Sequence, residues 1–278
     1  MVPTSARVGS VVARSIPIVR DLLRPRTVTR LTARWVGARL ARNAYRELTE
    51  AELLATRTSD TAFVFGSGRS LLDIERREWD AIAEHATIGF SEFARQRFAR
   101  VDYHVLGEVK DVDRYAALLR DNPFYAETIY IVQREWRAED SNELVARRLL
   151  PESARVFPYH RKSRGSYSPP SRSFAEGLVH GWNSSISVTN FAILMGFRRI
   201  VLTGIDLYDK EYFWLEKGER RDALRPSETP DRPFPMADEV IDVFARWRAA
   251  LEPEGVELLV YNPRSRLARA LEVFRPES

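Results

Sequence analysis

Apolar residues along this chain fall into two rhythms. Short continuous runs recur at Ala62-Phe63-Val64-Phe65, Ala86-Thr87-Ile88-Gly89-Phe90, residues 101–106, residues 128–132, Ile200-Val201-Leu202 and residues 256–261. Continuous apolar runs of that length predict strands buried on both faces, as in a parallel sheet, rather than strands with one wet face. Longer stretches between them carry helical spacing. Val240, Ile241, Phe244, Trp247 and Leu251 give an amphipathic helix over 236–251. Further helices are expected over 48–53, from Leu71 onward, at 79–84, through Leu118-Leu119, over 143–150 and at 267–274, with a short extended piece at 156–159. Strands alternating with helices predict an α/β fold: a Rossmann-like, doubly wound, mostly parallel sheet.

The most informative stretch is 183–209, NSSISVTNFAILMGFRRIVLTGIDLYD. Ile186, Phe191, Ile193, Leu194 and Met195 leave no wet face, so 184–195 predicts a buried helix. Gly196 ends it, because glycine takes the left-handed backbone just past a helix without strain. Arg198 and Arg199 suit the negative end of the helix dipole. After strand 200–202 the chain places Asp206, Tyr208 and Asp209 just past the strand's carboxyl end, the edge where open α/β sheets bind ligands. Asn183-Ser184-Ser185 opens the helix with backbone N–H groups available to an anion.

Composition narrows the class. The chain has 278 residues, 44% of them apolar and 29% charged. Mean hydropathy is -0.34, as expected of a soluble chain with a real core. No run approaches a membrane span. The chain has no Cys, which excludes disulfides and thiolate chemistry and fits the cytoplasm. Net charge is +4, and it is unevenly spread. Arg7, Arg14, Arg20, Arg24, Arg26, Arg30, Arg34, Arg39, Arg42 and Arg46 are opposed only by Asp21 before Glu47. The expected organisation is a basic helical arm over 1–57 and a Rossmann-like domain over 58–278, with a Pro-rich lid or insertion at about 209–236. The arm does not read as a secretory signal, because Arg14 and Arg20 interrupt its apolar runs. A basic amphipathic helix anchored by Trp35 fits an anionic membrane surface at the inner face. A solvated helix on the main domain is the plainer alternative. No nucleic-acid-binding motif accompanies the arm, and a homo-oligomer is left open.

Candidate chemistry clusters at the strand ends. Gly66-Ser67-Gly68-Arg69-Ser70 lies between strand 62–65 and the next helix, where a phosphate cradle forms. It is neither Gly-x-Gly-x-x-Gly nor a Walker loop, and a structural turn is the competing reading. Ser91 follows strand 86–90. His104, in mid-strand, reads as a packed core residue. Asp111-Val112-Asp113 has the form of a metal motif, but Asp111 is well placed to cap a helix. The stretch 160–170 is basic and rich in turn formers, its His160 reading as a surface residue, and its charge suits an anionic substrate. Tyr208 and Tyr212 have the spacing to project from one loop. Two phenols can stabilise a departing phosphate without a metal.

These segments carry a resemblance. GFRRIVLTGIDLYD resembles a motif of a bacterial sialyltransferase family that takes CMP-sialic acid and adds it to lipooligosaccharide. Gly66, Ser67, Gly68, Ser70 and Leu71 match that family's early turn, with Arg69 in place of proline. Ser184 matches its serine turn, and Asn262, Pro263 and Ser265 resemble its late turn. The resemblance spans 63–274. It implies a nucleotide site built from Gly66, Ser67, Gly68, Ser70, Ser91, Ser184, Ser185, Asp206, Asn262 and Ser265. It also implies Tyr208 and Tyr212 on the CMP phosphate, with no metal and no cofactor beyond the CMP-sugar donor. Two departures stand out: Ser91 replaces the family's asparagine, and no histidine follows His180, where the family has its general base near 234–238. Candidate bases are then His180 first, followed by Asp209, Asp231 and Asp238. A wider Rossmann-like group, including 6-hydroxymethylpterin diphosphokinases, shares the resemblance.

Three readings follow. One is a metal-independent transferase moving an acidic sugar from a CMP donor to a glycan or glycolipid. Another is a magnesium-requiring, ATP-dependent diphosphokinase using Asp206 and Asp209. The last is a non-catalytic nucleotide- or glycan-binding relative.

Overall fold

The computed structural model describes residues 45–107, 109, 111–134, 139–162, 167–208, 211–215 and 234–275. Most of the arm and most of the 209–236 insertion, with Asp209 and Asp231, lie outside them. In chain order the described strands are β1 (Arg46–Glu47), β2 (Thr61–Phe65), β3 (Ala86–Phe90), β4 (Tyr103–Leu106), β5 (Ile129–Gln133), β6 (Arg155–Tyr159), β7 (Arg161–Lys162), β8 (Leu178–Val179), β9 (Arg199–Thr203), β10 (Glu257–Val260) and β11 (Glu272–Val273). The helices are α1 (Glu50–Leu54), α2 (Arg76–Ile82), α3 (Val112–Arg120), α4 (Glu139–Ala146), α5 (Ser184–Leu194) and α6 (Ala237–Leu251).

Among the described residues, nine strands form one sheet in the order β1-β6-β5-β4-β3-β2-β9-β10-β11. Every neighbouring pair is parallel. The chain moves outward from β2 to β6, then returns so that β9 lies on the other side of β2. That reversal makes the β2/β9 seam the topological switch point of a Rossmann-like α/β fold, and crevices open at the carboxyl ends of such strands.

The strands are buried on both faces, as their continuous apolar runs require. Ala62 and Val64 join α5 and α6 in one core layer. Phe63 and Phe65 point the other way, into a layer with Ile82 of α2, Tyr115 and Leu119 of α3 and Leu144 of α4. α5 is buried from Ser185 to Ala192. Its one amide side chain reaches back: Asn190 Oδ1 accepts from Ser171 N and Val179 N, at 3.3 and 2.8 Å, and so ties the preceding segment to the helix. Gly196 follows at φ 80°, as the sequence predicts.

Several boundaries differ from the sequence reading. Residues 45–57 belong to the body rather than to an arm: β1 pairs with β6, and Leu48 and Leu53 are buried in the core. The helix expected at Leu71 is a 3₁₀ turn, Arg69–Asp73, because Ser70 and Leu71 are pulled toward the β9 loop. The helix expected over 143–150 begins earlier, at Glu139, and ends at Ala146. The helix expected over 267–274 is a 3₁₀ turn, Arg266–Arg269, followed by edge strand β11. Asp111 caps α3, accepting from Arg114 N at 3.1 Å, and Asp113 pairs with Arg147. No described helix is long and apolar enough to cross a membrane.

Candidate functional site

The carboxyl edge of the sheet holds two arrangements side by side. The first is an interlock across the switch point. Gly66 N donates to Thr203 O at 2.8 Å and Gly68 N to Gly204 O at 2.7 Å, so the loops after β2 and β9 run in direct contact. Glycine is required at 68, since a Cβ there would sit 2.3 Å from Asp206 Oδ2 and 2.8 Å from Gly204 O. Asp206 is buried at the centre. It accepts from Ser70 N at 3.1 Å, from Ser70 Oγ at 2.7 Å and from Asn262 Nδ2 at 3.0 Å. Ser265 is buried too. Its hydroxyl donates to Ile205 O at 2.8 Å and also accepts from Leu267 N at 3.1 Å.

The two sequence motifs, Gly-Ser-Gly-Arg-Ser-Leu and Gly-Ile-Asp-Leu-Tyr, are therefore physical partners. This corrects the reading of the first loop as an open phosphate cradle: the amides of Gly66, Gly68 and Ser70 already donate within the protein. Asp206, Asn262 and Ser265 likewise hold loop to loop. Ser67 is half-buried there, and its carbonyl accepts from Phe213 N at 3.2 Å. Tyr208 donates its hydroxyl to Arg264 O at 2.6 Å. Tyr212 bridges Gly68 through the backbone and stacks on Trp214 with ring centroids 4.5 Å apart. The Tyr208 hydroxyl is thus engaged with a backbone carbonyl, while the Tyr212 ring lies against Trp214.

The second arrangement is a crevice of about 240 Å³ beside the interlock, over the ends of β3 to β6. It gathers Ser91, Gln133, Tyr159, Arg161, His180, Trp182 and Ser184, among others. Ser91 is remote in sequence from His180 and Ser184, which are near neighbours on either side of the α5 N-terminus, and the sequence points to nucleotide or base chemistry for each. The described lining includes a guanidinium and an imidazole but no carboxylate.

Each wall has a local cause. Ser91 turns out of β3 with φ 51°, and its carbonyl accepts from Tyr115 Oη at 2.7 Å. The Tyr115 hydroxyl spends its one O–H on Ser91 O, so toward His104 it is the acceptor, from Nε2 at 2.7 Å. Tyr125 Oη then donates to His104 Nδ1 at 3.2 Å. His104 is the packed core residue the sequence predicts. Burial holds its pKa down at about 3, so the ring stays neutral. Asn183 caps α5, accepting from Ser185 N at 3.1 Å and from the Ser185 hydroxyl at 2.5 Å. Ser185 therefore belongs to the cap, while Ser184 is exposed at the crevice.

His180 sits between two partners. Arg161 Nη2 contacts its Nε2, and its Nδ1 lies 3.1 Å from Ser187 Oγ. A guanidinium can only donate, so Nε2 is the acceptor and Nδ1 carries the proton. Asp238, the alternative base, opens α6 and lies 3.8 Å from Arg269; it is not among the crevice's lining residues.

Sequence reasoning missed Gln133, Tyr159 and Trp182 as lining residues. It also did not single out Arg161, although the basic stretch 160–170 that holds it was expected to suit an anionic substrate. A larger cavity of about 430 Å³ lies elsewhere, at the amino-terminal ends of β9 and β10. Among its charged walls Arg199 Nε pairs with Glu257 at 2.8 Å. The carboxyl edge is the better ligand site. Comparison with protein-family models, with curated proteins and with solved structures finds no match for this chain.

Proposed function

We propose that this chain is a metal-independent glycosyltransferase that takes an acidic sugar from a CMP-activated donor and passes it to a glycan or glycolipid acceptor. The observation supporting it is the crevice: Ser91, His180 and Ser184 meet there beside Arg161, with no carboxylate among its described lining residues. Such a pocket favours an anionic ligand. It lies at the sheet edge where nucleotides bind.

In this reading the acceptor hydroxyl oxygen attacks the anomeric carbon of the donor. The bond from that carbon to the CMP phosphate oxygen breaks, CMP leaves as a phosphate monoester, and the hydroxyl proton passes to His180 Nε2. The α5 amides beside Ser184 and the Arg161 guanidinium balance the phosphate's charge. Tyr208 contributes only if its hydroxyl leaves Arg264 O. The basic arm, outside the described residues, would keep the enzyme at an anionic membrane face.

The diphosphokinase reading needs Asp206 as a magnesium ligand. Its carboxylate is already committed to Ser70 and Asn262, which weighs against it. A thermal-shift screen of CMP, CDP, UDP and ATP, each with and without magnesium, tests the proposal. Stabilisation by CMP without magnesium is the expected result. A shift from ATP alone, and only with magnesium, would replace this reading by the diphosphokinase. Binding of a CMP-sugar with no CMP release would leave a non-catalytic relative.

A further inference from the structure

We propose that Trp182 is the stacking platform of the crevice, the surface against which a nucleotide lays its base. This deepens the proposed function and rests on the crevice being a nucleotide site.

The Trp182 indole differs from its counterparts elsewhere in the fold. Trp79 packs on Phe65 and Phe98, and Trp214 on Tyr212 and Phe213. Trp247 packs on Phe244, and its indole N–H donates to Ser168 O at 2.9 Å. Trp182 has no such ring neighbour or hydrogen bond among the described residues, and it is 38% exposed while lining the 240 Å³ crevice. Lone apolar side chains on a convex surface are ordinary, but a bare indole on a cavity wall has a face to offer a ligand.

The backbone that carries the ring is fastened on both sides. Gly181 lies so close to α5 that a Cβ there would sit 2.4 Å from Ile186 Cδ1, and Ile186 is buried in the core. On the other side Asn183 caps the same helix. Just upstream, Val179 N donates to Asn190 Oδ1 at 2.8 Å. The indole therefore projects from a fixed point, and with only two side-chain torsions it loses little freedom when a ligand covers it. Two residues of chain separate Trp182 from Ser184, and two residues span at most about 7 Å. The indole and the first amides of α5 thus lie within reach of one small molecule with a flat ring at one end and an anion at the other. A nucleoside monophosphate has that form, and the described lining sets no carboxylate against it. Every base has a π-face, so the platform gives affinity for nucleotides as a class and leaves the choice of base to other groups.

Calorimetric titration with CMP, UMP and ribose 5-phosphate, without magnesium, isolates the base, since ribose 5-phosphate keeps the sugar and the phosphate alone. In the parent both nucleotides should bind more tightly than ribose 5-phosphate. Trp182→Ala should weaken CMP and UMP about tenfold or more and leave the weaker ribose 5-phosphate binding unchanged. Its urea midpoint should match the parent's, because the ring is exposed. Trp182→Phe, which keeps a smaller ring, should fall between. The platform is overturned if Trp182→Ala binds CMP as tightly as the parent, or if it weakens ribose 5-phosphate as much as CMP. It is equally overturned if the parent binds CMP no more tightly than ribose 5-phosphate, or binds neither. If CMP binding depends on Trp182 but no CMP-sugar is turned over, the transferase reading fails and the platform stands. If a CMP-sugar is turned over with the same KM in Trp182→Ala, the platform fails and the transferase reading stands.

Discussion

The carboxylate of Asp206 accepts both the amide and the hydroxyl of Ser70, at 3.1 and 2.7 Å, across 136 positions of sequence. Asn262 adds a third bond at 3.0 Å. One buried side chain therefore fastens the loops after β2, β9 and β10, and the ligand edge of the sheet takes its shape from it. Asp206→Ala leaves Ser70 and Asn262 as unmatched donors. It should cost about 3 kcal/mol, seen as a lower urea midpoint with an unchanged slope. Asp206→Asn should also destabilise, because an amide cannot accept from three donors at once.

Gly68 is the steric counterpart of that bond. Gly68→Ala drives a methyl group to 2.3 Å from Asp206 Oδ2, and the loops must part. A loss of about 2 kcal/mol is expected. Combined with Asp206→Ala the loss should be less than additive, since both changes break one contact. A double-mutant cycle by urea unfolding checks it.

Much of this architecture could be read from sequence, for one reason. Strands buried on both faces spell continuous apolar runs, and β2, β3 and β9 did so. α5 was legible because Gly196 marks its end and Asn183 its start. Asp206 was legible as a residue at the ligand edge but not as a hub, because its partners Ser70 and Asn262 are remote in sequence and nothing local announces them. The same holds for Arg161, whose basic run suggested an anion but not His180. The two-residue strands β1, β7, β8 and β11 were missed, because so short a run carries no period.

His104 gives the fold an acid-sensitive point. Its folded pKa is about 3 against 6.5 in the unfolded chain. Between those values the unfolded state holds the extra proton, so stability is fully present above about pH 6.5 and is lost as pH falls toward 3. The loss approaches about 1.4 kcal/mol per pH unit within that window. His104→Gln should lack this increment. Urea midpoints of both proteins at pH 7, 6, 5 and 4 compare the slopes.

Asn183 caps α5 beside the crevice, so Asn183→Ala should cost about 1 kcal/mol. It should also weaken CMP binding, because the freed amides next to Ser184 lose their fixed direction. Thermal unfolding with and without CMP separates the two effects.

Ser184 allows the most direct test of the crevice as an anion site. It is exposed at the first position of α5, where an acidic residue favours the helix. Ser184→Asp should therefore keep the fold while setting a negative charge into a crevice whose described lining has none. Calorimetric titration of CMP without magnesium is the measurement. Saturable binding in the parent, weakened about a hundredfold in Ser184→Asp, is the expected result; absent binding in the parent, or equal affinity in a folded Ser184→Asp, would contradict the account.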